Sequence, residues 1–266
     1  MIREPAVAGA FYPAAAAALA SAVDRFLGPA PRAAAPALGL LVPHAGYMYS
    51  GAVAGATYAS AALPHRVIVL GPNHTGLGRA RAALAPAEAW RTPLGQVPRD
   101  EATWQTLSTA PGVAPDAAAH AREHSLEVQL PFLQRACPGF SLAAICLAHL
   151  SYPECEALAA AVADAAGAAR ALVIASSDMS HYLPAPAARE ADQRALEPLL
   201  ALDAQGLYRR VHDEDISMCG VIPAVVMVLA ARALGAERAE LVRYAHSGEV
   251  SGDDDQVVGY AGVVVR

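Results

Sequence analysis

Three short apolar runs in this chain each end in a turn carrying a group that can bind a metal or move a proton. Leu38–Val42 leads through PHAGY to His44, and Arg66–Leu70 leads through GPNH to His74. Ala171–Ala175 leads into SSDMSHY, with Asp178 and His181. A fourth group, Cys219, lies in SMCGV, where the polar loop HDEDIS gives way to an apolar stretch. Two imidazoles and a thiolate suit a divalent transition metal. A cysteine at a helix N-terminus is expected to ionise readily, because the dipole and free amides favour the thiolate. His181, with Asp178 close by, could supply acid–base chemistry beside such an ion. Each group also has a plainer account: a hydrogen-bonded loop histidine, an aspartate capping the next turn, a cysteine buried as a small hydrophobe. The coincidence of three strands presenting such groups at the same end is what argues for a metal site.

The elements that must position these groups alternate in type. Strands are expected at Leu38–Val42, Arg66–Leu70, Phe140–Leu147, Ala171–Ala175 and Val257–Val265. Helical patterns cover Ala15–Leu27, a stretch after Gly51, His124–Ala136, Glu154–Ala165, Arg189–Leu200 and Gly220–Leu234. Strands spaced by helices predict an α/β fold with a largely parallel or mixed central sheet flanked by helices. In such sheets ligands bind beyond the carboxyl ends of the strands, which is where the three turns arrive. Ala80–Asp100, with Pro86, Pro93 and Pro98, reads as an edge hairpin or a covering loop. No repeat or boundary interrupts the 266 residues, and one domain is the simpler reading.

Composition removes several classes of function. The chain is 55% hydrophobic and 17% charged with net charge −6, so no basic face points to nucleic acid or an anionic membrane. All 19 basic residues are arginine, which excludes a lysine Schiff base, pyridoxal-phosphate attachment and a lysine-bearing P-loop. Cys137, Cys146, Cys155 and Cys219 form no CxxC, and a chain of this size needs no disulfides. The N-terminus lacks the pattern of a signal peptide. The most apolar stretch, Ile216–Ala231, contains Pro223 and falls short of the roughly 20 residues a bilayer requires, so it is expected to be a core helix. A reducing cytoplasm is the default location. His65, His120 and His212 suggest nothing beyond packing. His149 ends a strand and could face the same crevice.

The segments AGAFYP, PHAGYMYSG, LGPNH, RTPLG, EHSLEVQLPFLQ, SSDMSHY, MCG and YAHSGEVSGD, followed by VVGYA, occur in this order. As an ordered set they resemble the Memo family, whose prokaryotic members are called AmmeMemoRadiSam system protein B. The resemblance implies a single Memo-like domain with the fold of class III extradiol ring-cleavage dioxygenases. It implies His44, His74 and Cys219 as metal ligands, the cysteine standing where those enzymes have a carboxylate. It implies His181 as the acid–base histidine, with Asp178 near it. The ion expected is Fe(II), with Cu or Zn as alternatives. By the same resemblance Glu123 or His124 lines the pocket, and His246 with Ser247 approaches it. The plainer reading of Glu123–Gln134 is a capped core helix interrupted or kinked at Pro131, and that of Gly252–Asp255 is a solvated turn. The family name further links such proteins to an AMMECR-like partner and a radical-SAM enzyme.

Three functions follow as alternatives. The first is a metal-dependent oxidoreductase acting on a small molecule or peptide, with His181 shuttling protons. The second is a metal-dependent hydrolase, for which no HExxH motif speaks. The third is a binding module that captures a peptide or a metal in the crevice without turnover.

Overall fold

The computed structural model describes residues 1–29 and 35–266. Its strands in chain order are β1 (Ile2–Arg3), β2 (Gly39–Val42), β3 (Arg66–Pro72), β4 (Ala82–Leu84), β5 (Ala89–Thr92), β6 (Gly95–Pro98), β7 (Val113–Pro115), β8 (Ser141–Leu147), β9 (Leu172–Ser176), β10 (His181–Leu183), β11 (Ala239–His246) and β12 (Val257–Val265). The helices are α1 (Ala16–Leu27), α2 (Tyr47–Ala59), α3 (Glu101–Ser108), α4 (Ala117–His120), α5 (Leu130–Ala136), α6 (Tyr152–Ala169), α7 (Ala185–Leu200), α8 (Ala204–Asp213), α9 (Val221–Ala233) and α10 (Gly248–Ser251).

Nine strands form one mixed sheet in the order β10-β12-β2-β9-β3-β8-β4-β7, with β11 also paired to β12. Its centre, β2-β9-β3-β8, is parallel. β12 runs antiparallel to β2, and β4 antiparallel to β8. These central strands are buried throughout apart from their first residues, as continuous apolar runs covered on both faces must be. Alternate side chains divide between two cores. Leu41, Ile68, Leu70, Ile145 and Val173 pack with α6 and α9, while Leu40, Val42, Val67, Val69 and Ile174 pack with α1, α2 and α5. All five expected strands are present. Ala80–Asp100 contains the hairpin β5–β6, which joins β1 in a separate three-stranded sheet.

The expected helices are present with one exception. His124–Ala136 is not a continuous helix: a 3-10 turn covers Glu127–Gln129 and α5 begins only at Leu130. Pro131 lies in the first turn of α5, where its missing amide has no helical partner to lose, so it starts the helix instead of kinking it. The apolar stretch around Ile216–Ala231 becomes α9, buried at almost every position. No helix among the described residues is long and apolar enough to cross a membrane.

The chain passes from β3 to β8 on one side, then through α6 to β9 on the other. β9 is thereby inserted between β2 and β3, and the turns leaving β2, β9 and β3 become neighbours. The register pairs Val42 with Ser176 and Leu70 with Ala175, so the residues just beyond these ends emerge side by side.

Candidate metal centre

His44 and Asp178 each lie two residues past the paired ends Val42 and Ser176, and they meet through the backbone. Oδ1 of Asp178 accepts the main-chain N–H of His44 at 2.8 Å and that of Ala45 at 3.3 Å. Asp178 therefore pins the turn that carries His44 instead of capping its own.

The His44 ring is buried, and its surroundings fix which nitrogen bears the proton. The amide of Gln129 donates to the Pro43 carbonyl at 3.0 Å and to the Ser176 hydroxyl at 2.8 Å, while the Tyr58 hydroxyl donates to its oxygen at 2.8 Å. The Ser176 hydroxyl gives its one proton to the Ser125 carbonyl at 2.6 Å. It can then only accept from His44 Nδ1, 2.9 Å away. Nε2 of His44 is left with its lone pair, facing Cys219 Sγ at 3.2 Å. Burial holds the His44 ring well below its usual pKa, and the neighbouring His74 and His124 add to the effect. A neutral imidazole presenting Nε2 is the form that binds metals.

His74 is oriented in the same way by a different residue. The carboxylate of Glu123, fully buried, accepts from His74 Nδ1 at 3.0 Å and from the His74 amide at 2.7 Å. It also takes the amides of His124 and Ser125, each at 2.9 Å. Burial alone would raise the Glu123 pKa, but the bonds from His74 and Ser125 outweigh it and bring the carboxyl down to about 2. A carboxylate behind one imidazole nitrogen with the other left open is the usual support of a histidine ligand.

Cys219 completes the group from the far end of the chain. It stands just before Gly220, the N-cap of α9. A Cβ at Gly220 would collide with the Ser176 carbonyl and the Ser177 side chain, so only glycine lets α9 begin this close to the end of β9. The expected ease of ionisation is not found. Burial pushes the thiol up, and the adjacent Asp178 carboxylate pushes it further; both outweigh the hydrogen bonds from the Ser177 side chain and the backbone. Only a cation beside it would make the thiolate the resting form. One ligand atom from each of His44, His74 and Cys219 lies within 4.8 Å of the others. This spacing is compatible with one ion bound at about 2.0 Å to nitrogen and about 2.3 Å to sulfur.

The remaining candidates fall on different sides of this group. His181 donates from Nδ1 to the Ser217 carbonyl at 2.9 Å, and its amide donates to the Ser217 hydroxyl at 2.8 Å. Its Nε2 is thus the free nitrogen. Tyr182, beside it, sits at a bulge between β10 and β12 with φ 59° and is 73% exposed. His124 stacks on His74 with ring centroids 4.7 Å apart, stands edge-on to His44 at 5.4 Å, and rests on Phe11 at 4.6 Å. Glu123 and His124 therefore both reach the cluster. His246 has no described contact with it, and its ring lies between Glu249 and Asp254. His149 contacts His212. Burial raises the Asp178 pKa, against the two backbone hydrogen bonds that lower it. Sequence reasoning did not find Ser176, Gln129 or Ser217, which act only through contacts far apart in the chain. A cleft of about 580 Å³ lined by Arg25, Phe26, Tyr47, Met48 and Tyr49 reaches Phe11, the residue packed on His124.

Comparison with known proteins agrees with this arrangement of motifs. A family model described as Memo-like protein matches residues 3–264. A MEMO1 family protein of Methanopyrus kandleri is 42% identical, over 100% of this chain and 99% of its own length. One of Aquifex aeolicus is 40% identical, over 99% of this chain and 98% of its own. One of Methanosarcina mazei is 39% identical, over 100% and 99%. With the match running from one end of the sheet to the other, this chain belongs to the Memo family.

Proposed function

We propose that this protein is a mononuclear, metal-dependent oxidoreductase-type protein in which His44, His74 and Cys219 hold Fe(II), copper being the alternative ion. The observation that carries the reading is that two imidazoles, each held at Nδ1 by a separate hydrogen-bond partner, bring a ligand atom within 4.8 Å of one thiol. Three donors with room for further ligands resemble the facial arrangement of non-haem iron sites, with sulfur replacing the carboxylate. Such an ion, when bound, supplies electron-transfer and dioxygen chemistry.

The chain's own residues supply the rest. Ser176 and Glu123 hold the two imidazoles in the ligating tautomer. Asp178 fixes the His44 turn and adds a negative charge beside the donors. His181, anchored through Nδ1, offers Nε2 for taking up or releasing a proton at a substrate placed next to the centre. His124, packed on His74 and Phe11, covers the cluster beside them. A small molecule or peptide is the substrate class, and an AMMECR-like protein and a radical-SAM enzyme are the proposed pathway companions.

The test is metal content by mass spectrometry on protein purified anaerobically without chelator, beside His44→Ala and Cys219→Ala. About one equivalent of iron or copper in the parent, lost in both variants, is expected. Zinc would favour hydrolysis, with the same donors lowering the pKa of a bound water. No metal under any reconstitution would overturn the proposal and leave a binding crevice.

A further inference from the structure

The segment Tyr244–Asp255, YAHSGEVSGDDD, takes no part in the centre described above. His246 closes β11 and is 9% exposed, yet its Nδ1 is buried with no hydrogen-bond partner. Its other side faces an acceptor: Glu249 Oε1 receives the His246 amide at 3.3 Å and lies 4.0 Å from Nε2. Neither ring nitrogen has a hydrogen bond, Nε2 lying 4.0 Å from that carboxylate, so the tautomer with its lone pair on Nδ1 is open to a ligand. Nδ1 looks at Asp254 Oδ1, 3.8 Å away and too far for a hydrogen bond.

A second observation shows which atoms gather around Nδ1. The three heavy atoms nearest to the place a Cβ would occupy on Gly248 are Asp254 Oδ1, the Asp253 carbonyl oxygen at 2.7 Å and His246 Nδ1 at 3.0 Å. All three are electron-pair donors that converge beside a residue with no side chain. Gly248 has no left-handed φ, so the backbone does not require glycine there; the space does. The local charge is also unbalanced. Among the described residues no arginine pairs with Glu249, Asp253, Asp254 or Asp255, and the Asp253 carboxylate is engaged with the Asp255 amide at 2.9 Å.

The geometry points to a second cation site, at which a divalent first-row transition metal ion is held by His246 Nδ1, the Asp254 carboxylate and the Asp253 carbonyl. One imidazole with two oxygens suits such an ion better than Ca²⁺ or Mg²⁺, which take oxygen alone. Glu249 Oε1 lies on the Nε2 side of the imidazole, 4.0 Å away. The ion would tie the 247–255 loop to the end of β11. That loop already reaches the His181 segment, since the Asp254 carbonyl accepts the amide of Ala185 at the start of α7. The role is structural and does not depend on the redox reading.

Cobalt(II) is the probe, titrated into the full-length protein under anaerobic conditions and followed by absorption. Cobalt bound through Cys219 gives a sulfur-to-metal band in the near ultraviolet; cobalt at His246 gives none. The expected result is about one equivalent bound without that band, retained in His44→Ala and weakened by roughly tenfold or more in both His246→Ala and Gly248→Ala. The second variant keeps every donor residue, but its Cβ would lie 3.0 Å or less from all three donor atoms and push them apart. Absence of this equivalent from the parent, or its survival in either variant, would overturn the site, whatever the first centre binds.

Discussion

Ser176 and Glu123 decide which nitrogen of each histidine faces the centre, and so whether there is a donor set at all. Glu123→Gln places an amide N–H₂ where four N–H groups now converge on carboxylate oxygens. His74 loses its fixed tautomer, and metal affinity measured by chelator competition should fall by about 10–100-fold. An unchanged affinity would mean that Glu123 does not orient the ligand. Asp178 behaves oppositely toward the protein without metal. Its pKa is raised by burial, so the folded state keeps the proton to a higher pH than the unfolded chain, where it leaves near ~3.9. Stability contributed by the protonated form is therefore lost as pH rises through the folded value. In metal-free protein at pH 7.5, Asp178→Asn should be more stable than the parent by on the order of 2 kcal/mol, the gap closing toward pH 4. Urea denaturation at both pH values measures it, and a less stable variant at pH 7.5 contradicts the assignment.

At the scale of elements, the N-terminal segment and the Glu123–Gln129 turn are clamped together. Arg3 and Tyr12 both bond to the buried carboxylate of Glu127, which also takes the amides of Ala6 and Val7 at 2.8 and 3.1 Å. Arg3 further holds the carbonyl of Glu123 at 2.6 Å and lies over the Trp90 ring. This clamp delivers Phe11 to His124. Arg3→Ala leaves Glu127 charged and short of its cation, so unfolding free energy should drop by roughly 3–5 kcal/mol; a loss under 1 kcal/mol would show that the clamp holds little. Here the sequence was hard to read. EHSLEVQLPFLQ has helical spacing, but Glu123 turns back to accept the amides of His124 and Ser125, which delays the helix to Leu130. β11 was missed for a related reason: its first six residues include no buried one, so it lacks the apolar run that revealed the other long strands. The short α3 and α8 begin at the side-chain caps Asp100 and Asp203.

For the molecule as a whole, the three donors come from turns separated by most of the chain and meet only through the sheet. The positions of His44 and His74 were legible because the parallel centre of the sheet delivers its strand ends to one edge; the hydrogen-bond partners were not, since His44 and Ser176 are 132 residues apart. An ion bound by these turns stabilises the native state alone. Metal at about 100 times its dissociation constant should add about 2.7 kcal/mol, read as a rise in melting temperature that His44→Ala abolishes. Equal shifts in parent and variant would place the metal elsewhere.

The placement of β12 bears on how the molecule comes to exist. Although it holds residues 257–265, it lies inside the sheet, between β2 and β11. On the ribosome, β2 would emerge more than two hundred residues before its partner on that side. Until then its flank is an open row of amides and carbonyls, the kind of edge that recruits other chains. Synthesis of β12 would thus close that edge against other chains and complete the pairing of the strand that leads to His44 in the same step.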